Sequence, residues 1–151
     1  MRRWRRWISD ESGSASLEFV TAGVLLLVPL VYLVIALSVI QSGSFGVEGA
    51  ARAGARVFVQ SAPVDAATTA AAVSADFALR DYGIDPKRAT VTITCDPDPT
   101  DCLTRGGHVT VTVSTTVTLP LAPPLPGLAV PAGIPVVAAS TEEVSRFVET
   151  Q

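Results

Sequence analysis

Few residues in this 151-residue chain have the type and spacing for chemistry. The first is a carboxylate, Glu18, which abuts a long apolar stretch. It closes the run Gly13-Ser14-Ala15-Ser16-Leu17-Glu18. An ionisable group at the edge of a membrane span is costly unless it finds a partner, which makes Glu18 a candidate functional group. The second feature is the pair Cys95 and Cys102, the only two cysteines, which bracket the segment DPDPTD. A disulfide is expected there, in a compartment where such bonds persist. Closing a loop of about 8 residues contributes roughly 2.5 kcal/mol in the chain-entropy account. A metal reading would join Cys95 and Cys102 to His108, with help from Asp96, Asp98 or Asp101, but no zinc spacing is present. Asp96-x-Asp98 is similar to the start of a calcium loop that lacks its glycine and terminal glutamate. Glu142 and Glu143 are adjacent on an expected strand and so face opposite ways, which suits a solvated edge better than acid–base work. The single histidine, His108, stands at a strand start without a nucleophile motif or a phosphate loop. Neither catalysis nor a cofactor is expected.

These groups need elements to position them. Phe19 to Ile40 reads FVTAGVLLLVPLVYLVIALSVI, 22 residues without a charge. As a helix it would extend about 33 Å, enough to cross a hydrocarbon core of about 30 Å. Only Thr21 and Ser38 are clearly polar, so the polar stripe of a soluble core helix is missing. Pro29 lies mid-span, where bilayer helices tolerate proline, with a kink expected. Arg2, Arg3, Arg5 and Arg6 precede the span, and the next basic residue is Arg52. That asymmetry places the N-terminus in the cytoplasm and the chain beyond about residue 41 outside it. Trp4 and Trp7 suit the interface. From residue 19 onward there are 7 basic and 11 acidic residues, a net of −4. An acidic outer part argues against nucleic acid as a partner.

Beyond the span, small or apolar residues recur at Gly43, Gly46, Val47, Ala50, Gly54, Val57 and Phe58, a helical stripe. Such a face suits close helix–helix approach, either to another membrane helix or to this chain's own outer domain. The helix is expected to run to about residue 60. A second helix is expected over 63–82, with Pro63 in its first turn and Gly83 as its stop. Its inward face would carry Ala66, Ala70, Val73 and Phe77, flanked by Ala67, Ser74, Ala78 and Tyr82. Period-two alternation marks strands at 89–95 and 108–119. Ser114-Thr115-Thr116 interrupts the second before Val117 and Leu119, and a bulge is expected there. The six prolines between Pro120 and Pro135 read as an extended loop that touches the membrane surface or a partner. A last strand over 136–148 would return to pair with its predecessor. The expected fold class is α+β: a long N-terminal transmembrane helix, a short second helix and a small three-stranded antiparallel sheet.

The Gly13-to-Glu18 spacing, after a basic leader and before an apolar helix, resembles the type IV prepilin signal. That resemblance implies cleavage by a prepilin peptidase between Gly13 and Ser14. Ser14 would then carry the new amine, and Glu18 would be the mature fifth residue, pairing with the amine of a neighbouring pilin or pseudopilin. The segment Ala51-Arg52-Ala53-Gly54-Ala55-Arg56, with the leader and the short outer domain, resembles the TadE-like pilus-assembly family, the minor pseudopilins of tight-adherence (Tad) pili. Phe19 stands where major pilins of that system usually carry tyrosine, which favours the minor component. The resemblance implies a pilin-like fold, the Tad secretion machinery as a partner, and a role in adhesion. It divides the chain into a leader (1–13), a transmembrane helix with its extension (14–60) and a small extracytoplasmic domain (61–151). Two other readings stand beside it. One is an uncleaved, signal-anchored envelope protein whose outer domain binds a partner. The other is a secreted protein that has lost its span.

Overall fold

A computed structural model describes residues 14–120 and 133–147. The chain divides into two compact units, residues 1–37 and 38–151. The elements are α1 (Ser14–Val59), α2 (Val64–Asp81), a 3-10 turn (Pro86–Arg88), β1 (Thr90–Asp96), β2 (His108–Thr118) and β3 (Gly133–Glu143). The α+β class and the three antiparallel strands agree with the sequence reading.

In the first unit, α1 carries an apolar surface from Leu17 to Leu37 that is almost wholly exposed. It is long and apolar enough to cross a membrane, and none of its most apolar stretch is buried within the chain. A helix apolar all round and covered by nothing of its own matches a lipid environment or a signal anchor rather than a soluble core. The helix continues past Pro29.

In the second unit, the rest of α1 packs on α2 and the sheet. Val47, Ala50, Ala51 and Ala55 form one core cluster with Ala75, Leu79, Val111, Val113 and Val136. Phe58, Ala67, Ala71, Val109 and Val144 form the other. The small-residue stripe of α1 is therefore used within this chain: a Cβ on Gly54 would stand 3.4 Å from the Ala71 carbonyl and 3.8 Å from the Ala75 Cβ. Close approach also decides which face of α2 turns inward. Ala67, Ala71, Ala75 and Leu79 are buried, whereas Val73 and Phe77 are 49% and 66% exposed. The expected inward face of Ala66, Ala70, Val73 and Phe77 is thus corrected, because larger side chains would hold the two backbones apart. Pro63 precedes the helix as its cap residue. Gly83 supplies the left-handed turn after its end, with φ of 71°.

The sheet order is β1-β2-β3. Val91 faces Val113 and Ile93 faces Val111 across β1 and β2, while Val113 faces Ala138 across β2 and β3. The expected bulge at 114–116 is absent, since the one-to-one register runs unbroken from His108↔Glu143 to Thr118↔Gly133. Thr115 takes an inward position in phase with Val113 and Val117. Its hydroxyl donates to the Arg88 carbonyl at 3.1 Å, so a polar residue sits in the core without an unmet bond. Pro135, expected in the loop, lies in β3 opposite Thr116. An edge strand tolerates it because its missing N–H can face away from the ladder. The closing strand also ends earlier than expected, at Glu143. Two backbone bonds then draw the chain back to the β2 end: Val144 N–H to the Gly107 carbonyl at 2.8 Å, and Gly106 N–H to the Val144 carbonyl at 3.0 Å.

Candidate functional site

Glu18 projects from α1 beside Leu17 and Phe19, which are 70% and 80% exposed. The helix is required here by the apolar run that follows, and it leaves the carboxylate on the outside of a surface otherwise fit for lipid. Among the described residues Glu18 makes no ion pair; the two such pairs are Glu48–Arg52 and Glu143–Arg146. The nearby hydroxyl of Thr21 is already committed, donating to the Leu17 carbonyl at 2.7 Å. A carboxylate placed this way can attract a cation from another molecule, and in an apolar setting the attraction is strengthened by the low dielectric. Ser14 lies in α1 one turn before Glu18. Gly13, the expected cleavage position, lies outside the described residues, as do the leader and most of the proline-rich segment.

Cys95 and Cys102 are joined in a disulfide with Cα atoms 5.1 Å apart. The bond uses both thiols and so removes the Cys–Cys–His metal alternative. No cluster of three or more histidine, cysteine, aspartate or glutamate residues suited to a metal occurs among the described residues. Within the bridged loop, the Asp98 carboxylate accepts from the Thr100 N–H at 2.8 Å and from the Thr100 hydroxyl at 2.7 Å. The hydroxyl first, and the backbone N–H second, hold the Asp98 carboxyl below its ordinary 3.8. The Asp98 side chain thus serves the turn.

His108 stands between Asp96 of β1 and Glu143 of β3 in one cross-strand row on the outer face of the sheet. Glu143 is also held by Arg146 at 3.2 Å. Glu142 lies on the other face, half-buried, opposite Val109, as expected of adjacent strand residues. The row was hidden in the sequence because it depends on strand register over some fifty residues. The outer face continues as a threonine surface, in which Thr110 and Thr141 share a hydroxyl–hydroxyl bond of 2.7 Å.

A further feature is an open groove of about 320 Å³ beside Val39, Ser42 and Gly43 of α1. Tyr82, Asp85 and Arg88 line it together with the last residues of β2. No sequence motif announces it, because its walls come from three separate elements.

Comparison of the chain with protein-family models, with curated proteins and with solved structures finds no match.

Proposed function

We propose that this protein is a minor pseudopilin or pilus-assembly subunit of a tight-adherence, type IV-like pilus system. In this reading α1 spans the membrane, with its basic leader in the cytoplasm and residues 38–151 outside. A prepilin peptidase removes the leader after Gly13, and Ser14 presents a free amine. Glu18 then draws the subunit into contact with the amine of a neighbouring pilin or pseudopilin. The observation that carries the reading is the exposed Glu18 carboxylate on an uncovered apolar helix, without an ion-pair partner among the described residues. The cost of holding such a charge against lipid is relieved when a second subunit supplies a cation. The Cys95–Cys102 disulfide supports an oxidising location for the outer domain.

The test is Glu18→Ala in a cell that carries the cognate pilus system. Cleavage should persist, because the scissile bond precedes Ser14, while co-purification with sheared pili or with the assembly machinery should be lost. Unaltered incorporation of the variant would sink the recruitment role.

A further inference from the structure

The groove at the end of β2 is lined by an acidic and a basic residue that form no ion pair with a described residue. Val39 and Gly43 of α1 line it together with Tyr82, Asp85 and Arg88. Gly43 makes room: a Cβ there would fall on the Val117 side chain, so the Val117 side chain packs directly on the α1 backbone. The Arg88 carbonyl is fixed by Thr115 at 3.1 Å, which anchors the backbone that bears the guanidinium. One Asp85 oxygen accepts from the Lys87 N–H at 3.1 Å, which fixes the carboxylate at the start of the 3-10 turn. Although three residues apart, Asp85 and Arg88 do not pair with each other; the ion pairs among the described residues lie elsewhere. The groove is therefore lined by one acidic and one basic residue, Asp85 and Arg88, beside Tyr82.

The position of the groove along α1 limits what can reach it. Val39 belongs to the apolar stretch and Gly43 lies three residues past its end at Ile40, about 4.5 Å further on at 1.5 Å per residue. If the apolar stretch occupies the hydrocarbon core, these residues stand at the depth of the lipid headgroups. We infer that the groove binds the headgroup of a zwitterionic amino-phospholipid, phosphoethanolamine on a diacylglycerol. Arg88 takes the phosphate, Asp85 takes the ammonium, and the acyl chains lie against Val39. Arg88 suits a phosphate because its planar fork offers two parallel donors. The inference rests on α1 spanning a membrane and not on cleavage at Gly13.

The full chain in dodecylmaltoside micelles, titrated with short-chain phosphatidylethanolamine, tests it by NMR. The amides of Gly43 and Gly83, which both line the groove, should shift and saturate. Phosphatidylglycerol of the same chain length, which lacks the ammonium, should bind about tenfold more weakly, the scale of one lost charge-assisted bond. Free phosphoethanolamine should bind more weakly still for want of its chains. Arg88→Ala, which keeps the carbonyl that Thr115 needs, should weaken both lipids about tenfold, and Arg88→Lys should recover part of the loss. Asp85→Asn should erase the preference for the ethanolamine lipid. Equal binding of the two lipids by the unaltered protein, or shifts that Arg88→Ala leaves unchanged, would overturn the proposal. Retention in the membrane after alkaline extraction tests the span separately, so the two failures are distinguishable.

Discussion

Replacing Gly46 and Gly49 by alanine, one at a time, should give clearly different stabilities, although the two stand three residues apart in α1. Each substitution removes backbone freedom from the unfolded chain and raises helix propensity by about 1 kcal/mol, a gain common to both. The surroundings differ. A Cβ at Gly49 would meet only the Tyr82 ring at 3.9 Å, an ordinary contact. A Cβ at Gly46 would fall 2.6 Å from the Ile84 terminal methyl and 3.0 Å from the Tyr82 Cβ. Ile84 can swing its end away, but the Tyr82 Cβ moves only with the backbone that leaves α2. Overpacking of this kind costs about 1–3 kcal/mol. The shared gain cancels in the comparison, so Gly49→Ala should exceed Gly46→Ala by about 2 kcal/mol. At about 4 °C per kcal/mol for a domain of this size, that is roughly 8 °C in melting temperature. Near-ultraviolet circular dichroism of the full chain in detergent, followed on heating, would measure it. Equal melting points, or a higher one for Gly46→Ala, would refute the packing of α1 against the end of α2.

Other outcomes follow from the same structure. Cys95→Ser with Cys102→Ser should lower stability by about 2.5 kcal/mol in the loop-closure account, read as a lower denaturation midpoint. Phe58→Ala removes a fully buried ring from the cluster with Ala67, Ala71, Val109 and Val144 and should cost about 3–5 kcal/mol. The Asp98 carboxyl should titrate below 3.8 in carbon-detected NMR. Because its folded value is depressed, its contribution is present above the unfolded value and is lost as pH falls through the folded one. Thr100→Ala should move that midpoint upward by removing the hydroxyl that lowers it most.

Much of the architecture could be read from side-chain periodicity, and the departures have physical causes. The apolar stretch, the second helix, three strands and the disulfide all follow from short-range pattern. The inward face of α2 did not, because hydrophobicity favours Val73 and Phe77 while helix–helix distance favours Ala67, Ala71 and Ala75. Thr115 looked like a break in β2 because its type is polar; its partner, the Arg88 carbonyl, lies 27 residues away in sequence. Pro135 looked like loop because proline is rare in sheets, and the pattern alone does not say that β3 is an edge. For the candidate site, Glu18 was legible from its spacing to Gly13 and from the apolar run beside it. The Asp96–His108–Glu143 row and the Asp85–Arg88 groove were not, since both arise only when distant segments meet.

In the proposed maturation, a peptidase frees an amine four residues ahead of the Glu18 carboxylate. The most direct measurement of this step is the N-terminal sequence of the protein extracted from native membranes in which a prepilin peptidase is active. The expected mature chain begins Ser14-Ala15-Ser16. A protein that still carries the arginine-rich leader under those conditions would contradict it.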